Sequence, residues 1–336
     1  MTLLSGEIMD KPVPQHDLKK TAQAIHTESR DSVYDSALCL GPIWNDIQQD
    51  LDAVYRAPSR QSSPLISLKW LCSVLAQSPT LSALIQDIDI EEWAFSVSRG
   101  ATDSYKIDVE EDVVILPSLM KKVQSRHNLV LNTIRALRDI WYEDNHFDLY
   151  ESLNPEEWLK WEKIRSADIE SFTVLVSWEL RIAGERDLWR TLMASEIGDM
   201  AIIFQAIDES QAGLESHITP LLHAFRQWYM VTDRVNDTDS ATLAAIDETI
   251  THNTFAEPFG HERLDATDVQ DRICLPSGEQ YLLDVENMLS NPDFCAIPDE
   301  INQTHFFHIM TDLETIQVSG VRFRDKALAA LIFPQD

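Results

Sequence analysis

The amino-acid sequence predicts an α+β fold, mainly α-helical, in which a small antiparallel sheet precedes a helical core. Three observations carry that prediction. Apolar residues recur at spacings of three and four through most of the chain, which is the signature of helices with one buried stripe. Between about residues 92 and 117 the pattern switches to alternation and β-branched runs, as strands require. Finally, 44% of the 336 residues are hydrophobic and nine are Trp, enough apolar surface for a large core.

Residues 1–33 read as a disordered polar tail, with Pro12 and Pro14 and no apolar period. Residues 34–250 form the predicted α+β domain, and 251–336 a C-terminal extension of helical and hairpin segments. From Leu38 the pattern is helical, and "IWNDIQQDLDAVYR" sets Ile43, Ile47, Leu51 and Val54 on one face. "APSRQSSP" is a linker, because Pro and Ser favour turns. "LISLKWLCSVLAQ" predicts a second helix, and "SPTLSALIQDI" a short third one opened by a Ser–Pro cap. "EWAFSVS" is strand-like, with Gly100 as a turn candidate. "SYKIDVEEDVVILP" predicts a hairpin turning at Glu110–Asp112 and stopped by Pro117.

A long helix follows over about Leu119–Tyr142, with Val123, His127, Val130, Ile134, Leu137 and Trp141 at helical spacing. Asn154 caps the next helix, Pro155 suits its first position, and Glu156 and Glu157 favour the positive end of its dipole. Gly184 ends the helix that includes "IESFTVLVSWELRIAG". Further helical signals are "ERDLWRTLMASEIGDMAIIFQAI", "HITPLLHAFRQWYMV", "HFFHIMTDL" and "DKALAALIF", while "RICLPSGEQYLLDV" suggests a hairpin at Pro276–Gly278.

Composition excludes several function classes. The formal charge of −29 opposes a phosphate surface or an anionic membrane, so no nucleic-acid or membrane partner is expected. Residues 196–257 hold eleven Asp/Glu against Arg226 and Arg234, a strongly acidic stretch that suits a basic protein partner or a solubilising surface. No apolar run approaches the roughly 18 residues that span a bilayer. The start "MTLLSGEIMDKPVPQHDLKK" lacks a basic segment followed by an apolar one, so no secretory signal is expected. Cys39, Cys72, Cys274 and Cys295 show no CxxC spacing and are expected to be reduced core thiols in a cytoplasmic protein.

The chemistry-bearing motifs are few. No phosphate loop, GxGxxG or GxSxG occurs, and nine glycines are too few and scattered to cradle a nucleotide. "DRVNDTD" at 233–239 has the oxygen-rich look of a calcium loop but lacks the central Gly and terminal Glu, so a capped loop is the expectation. His305 and His308 have metal-ligand spacing without a nearby third ligand, and HExxH is absent. Trp178 in "SWELR" and Trp189 in "ERDLWR" are expected in the core, with Arg side chains lying over them. In "NTIRALRDIWYE", Arg135 and Asp139 stand four apart and could pair, and Arg138 could pair with Glu143 or with Asp168 on the next helix.

The order of helices, small sheet, hairpin and an apolar helix ending "LRDIW" resembles the zincin-like metallopeptidase arrangement. "RSADIESFTVLVSWELRIAGERDLWRTLMASEIGDMAIIF" and "FRQWYMVTDRVNDTD" are similar to blocks of a bacterial family of metallopeptidase-like proteins of unknown function. The resemblance covers about residues 65–250. It implies that the helix after the sheet carries H-E-x-x-H, with a third ligand on the following helix. Against that pattern Arg135 stands at the first His and Ala136 at the Glu, while Asp139 occupies the second ligand position. A guanidinium offers no lone pair to a metal, and a methyl cannot move a proton. Asp168 and Glu170 lie where the third ligand is expected, and Ser166 is another match for it. The expectation is therefore a degenerate site at Arg135, Ala136, Arg138, Asp139, Asp168 and Glu170, with no catalytic residue and no metal. Arg–Asp pairs would fill the space that a metal once neutralised.

This implies a catalytically degenerate metallopeptidase-like protein with a binding or structural role and an unidentified protein partner. The alternatives are an active zinc-dependent hydrolase with non-standard ligands, and an acidic interaction module.

Overall fold

The computed structural model describes residues 36–51, 53–59, 61–98, 104–117, 124–145, 152–211, 216–252 and 258–319. The expected tail, Gly100, the segment before residue 124 in the long helix and "DKALAALIF" lie outside these residues. The described chain is mainly helical with one small sheet, as its periodicities predict.

Strand β1 (Leu38–Cys39) leads directly into helix α1 (Leu40–Gln49). Ile43 and Ile47 are buried on α1 as their spacing predicts, but the helix stops at Gln49, so Leu51 and Val54 lie exposed beyond it. Helix α2 (Pro64–Leu75) starts on Ser63 and α3 (Pro79–Asp87) on Ser78, and each cap hydroxyl accepts a backbone N–H with Pro at the first helical position.

The sheet adds β2 (Ala94–Val97), β3 (Lys106–Asp108) and β4 (Val113–Leu116) in the order β1-β2-β4-β3. The β3–β4 hairpin is antiparallel, with Lys106 opposite Ile115, and it turns through Asp112 at φ 51°. β2 and β4 run parallel, from Ala94 opposite Val113 to Val97 opposite Leu116. The sheet is thus mixed rather than purely antiparallel. Alternation identifies strands and a hairpin, but it carries no information about which hairpin strand meets β2. The two-residue β1 is too short to show a period.

Helix α4 (Gln124–Asp144) packs against β4 and α3. From Leu129 to Tyr142 it is buried on nearly every side, with only Arg135 and Asp139 partly open to solvent. Its neighbour α5 (Pro155–Ala183) is the longest helix, at 29 residues. Asn154 accepts from the backbone N–H groups of Glu156 and Glu157, and Gly184 at φ 126° releases the chain at the other end. The cap signal and the stop signal in the sequence are the two ends of this one helix.

Helix α5 is the axis of the molecule. Packed against it are α4, α6 (Arg186–Met193), α7 (Gly198–Ser210), α8 (Ile218–Trp228) and α9 (Thr232–His252). "DRVNDTD" belongs to α9 and is not a loop. Its stripe of Val235, Leu243, Ile246 and Ile250 is interrupted by buried Asp239 and Thr242, which hides the helical period.

Short helices α10 (Ala266–Arg272), α11 (Val285–Ser290) and α12 (Pro292–Cys295) precede α13 (Glu300–Ser319), which packs on α9. The expected Pro276–Gly278 hairpin is a tight turn closed by a single bridge between Cys274 and Gln280, without strands. The main core runs from Leu40 to Met288, and a second, smaller cluster joins Leu159 to Leu243, Ile246, Ile250, Phe259 and Ile309. Among the four free cysteines only Cys72 is fully buried, and Cys39 is exposed. Among the described residues no helix is long and apolar enough to cross a membrane.

Candidate functional site

The facing surfaces of α4 and α5 bring the singled-out residues together in pairs that cross between the helices. Arg138 has no solvent exposure and Asp168 only 1%. The guanidinium Nε donates to Asp168 Oδ2 at 2.7 Å, and Nη2 donates both to Asp168 Oδ1 at 3.2 Å and to the Cys274 carbonyl at 2.7 Å. Its plane lies 4.2 Å from the Trp141 ring centre and 4.9 Å from that of Phe172, so aromatic faces replace part of the lost hydration.

Two phenols complete the cluster. Tyr142 donates to Asp168 Oδ2 at 2.6 Å, and Tyr281 donates to Oδ1 at 2.5 Å. A carboxylate offers about four lone-pair positions, and the four donor contacts engage all of them. Burial, and then the negative charge of Asp168, push both phenols well above their ordinary pKa, so each remains a proton donor. Burial alone would favour the neutral form of Arg138, but Asp168, backed by the two tyrosines, outweighs it and raises the guanidinium's pKa.

The outer pairs are half-open. Arg135 Nε reaches both oxygens of Glu170, at 3.0 and 2.8 Å. Asp139 accepts from the Tyr105 phenol at 2.9 Å and is paired with Arg165, which also reaches Glu143 at 3.1 Å. Arg135 and Asp139 therefore do not pair with each other, despite their spacing. Ala136 is fully buried. Ser166 lies apart from the network, lining a groove of about 500 Å³ with Trp158, Glu162 and residues of α9.

These residues do not fit a zinc ion. The Asp168 oxygens are saturated by four donors, Glu170 and Asp139 are held by guanidinium groups, and Arg135 and Ala136 supply no ligand atom. Among the described residues no group of three His, Cys, Asp or Glu is arranged to hold a metal. His305 instead meets Asp247 at 2.9 Å, and His217 meets Asp208 at 2.7 Å.

Sequence reasoning named Arg138–Asp168 as one of two options but missed Tyr105, Tyr142, Arg165 and Tyr281. Tyr142 and Arg165 could have been found, since each lies one helical turn from a named residue. Tyr281 is 113 residues from Asp168 and carries no local signal.

A helical bundle with paired polar residues at this position is the class of protein defined so far. The chain belongs to a family described as "Putative metallopeptidase family (DUF6782)", whose model matches residues 47–283. The match extends past α9 to include Tyr281. No curated protein and no solved structure matches the chain.

Proposed function

We propose that this chain is a catalytically degenerate member of its family, descended from a zincin-like peptidase and now serving a binding or structural role in the cytoplasm. The observation that carries this reading is the Asp168 carboxylate, whose two oxygens accept from Arg138, Tyr142 and Tyr281. A ligand position filled by its own protein donors has no lone pair for an ion. Arg135 and Ala136 support the same reading, standing where the resemblance expects a metal ligand and a general base. The acidic stretch at residues 196–257 favours a basic protein surface as partner.

The test is elemental analysis of tag-free protein after incubation with equimolar zinc, alongside hydrolysis of an unstructured protein substrate with and without a chelator. The expected result is substoichiometric zinc and no chelator-sensitive cleavage. One tightly held zinc per chain, together with cleavage that the chelator abolishes, would overturn the reading.

A further inference from the structure

The chain carries 56 Asp/Glu against 27 Lys/Arg, so the charged residues lining a random surface concavity should be mostly acids. Two grooves follow that expectation. The one beside Ser166 includes Glu162 and Asp237, and another between α1 and α2 includes Asp50 and Glu185. A third, of about 570 Å³, reverses it. It is lined by Arg181, Arg186 and Arg190 with Trp189, Gln205, Ile182 and Met193, and by no acid.

The groove is built on a fixed floor. Arg181 stacks over Trp178 at 4.1 Å from the ring centre, which orients its guanidinium. Trp189 is buried and its indole N–H donates to Gln205 Oε1 at 3.2 Å, while Gln205 Nε2 donates to Glu209 at 2.7 Å. The acids near the rim hold the cations weakly. Arg190 meets Asp187 at 2.7 Å, but both side chains are more than two thirds exposed. Arg181 reaches Glu209 only at 4.0 Å. Exposed pairs of this kind contribute about 0–1 kcal/mol and yield readily to a better partner. Among the described residues Arg186 carries no ion pair.

We propose that this groove binds a compact oxyanion, a phosphate or carboxylate group carried by a small molecule. Guanidinium forks match both groups bidentately. Repulsion from the distant acids is screened beyond about 8 Å at physiological salt, so the outcome is set locally, by three cations against the weakly held Asp187 and Glu209. The proposal stands independently of the degenerate site, because none of its residues enters the Asp168 network.

The test is calorimetric titration of the full chain with pyrophosphate and with citrate, with tryptophan fluorescence as a second readout. One probe is expected to bind saturably at one site per chain, pyrophosphate if the group is a phosphate and citrate if it is a carboxylate. The double variant R186A/R190A should weaken that binding by at least about tenfold, the loss of one charge-assisted hydrogen bond, with its melting temperature unchanged. R186K/R190K should retain part of the affinity. Absence of saturable binding by both probes, or undiminished binding by R186A/R190A, overturns the proposal.

Discussion

Asp168 is held by donors from three side chains, and each can be removed separately. Replacing Tyr281 with Phe leaves one lone-pair position of a buried carboxylate empty, which should cost about 1–3 kcal/mol. Arg138→Met removes the cation paired with that carboxylate, so the expected loss rises to about 3–5 kcal/mol. The double variant Arg138→Met/Asp168→Leu removes both charges at once and should be more stable than Arg138→Met alone. Urea denaturation of the four proteins checks the order, and a double variant less stable than Arg138→Met would refute the account of the cluster. The same residues show how much of a site is legible in one sequence. Spacing on α4 brings Arg135, Arg138 and Asp139 to attention, since residues three and four apart share a helix face. It cannot choose partners, because Glu170, Arg165 and Asp168 depend on how α5 is rotated against α4. Tyr281 arrives through a turn that only the complete chain brings into place.

Helix ends were the most legible elements, because caps act within a few residues: Ser78 and Asn154 accept the backbone N–H groups that their positions predict, while Ser63, which reads as part of a linker, caps α2 in the same way. The start of helix α9, residues 233–239, reads as a loop because its buried face includes Asp239, whose partner Lys163 lies on α5, and Thr242, whose hydroxyl turns back to the Thr238 carbonyl. How α3 docks on α5 was likewise invisible. Glu179 of α5 accepts from the hydroxyls of Ser78 and Thr80 at 2.5 Å each, and from the Thr80 backbone N–H at 3.1 Å. A carboxylate there also meets the positive end of the α3 dipole. Glu179→Ala should therefore cost about 1–3 kcal/mol and speed amide exchange in residues 81–87 before the rest of the chain. Uniform exchange across all helices would argue against this local role. The segment after α9 docks by close backbone approach. A Cβ at Gly260 would stand 1.9 Å from the Ser152 carbonyl oxygen, beside the bridge between Leu153 and Glu262. Gly260→Ala should cost about 1–3 kcal/mol through forced separation of these strands of chain, read as a lower melting temperature. An unchanged melt would mean that the two segments are not held together.

At the scale of the whole molecule, one buried pair joins three parts of the chain and gives stability a distinctive pH dependence. Lys163 of α5 and Asp239 of α9 are both fully buried, 3.3 Å apart, and the Lys163 ammonium also donates to the carbonyls of Cys295 and Ala296 at 3.3 and 3.0 Å. Burial pushes the Asp239 carboxyl from its ordinary 3.8 up to about 6, and the attraction of Lys163 offsets this only in part. The sign follows from proton counting. Between about pH 4 and 6 the folded chain holds a proton on Asp239 that the unfolded chain has released, so this group's stabilisation is present at low pH and lost as pH rises through about 6. A shift of this size corresponds to at most about 3 kcal/mol. Asp239→Asn resembles the protonated carboxyl and cannot ionise. The variant should match the native chain near pH 4 and exceed its stability near pH 7, the difference opening across that window. The net charge of −29 repels itself in both proteins, so that background cancels when the two are compared at one salt concentration. Urea denaturation at one-unit steps from pH 4 to 7 measures the difference. A variant that loses ground as pH rises would mean that ionised Asp239 is a net stabilising partner of Lys163, and that the pair, rather than the burial, dominates this junction.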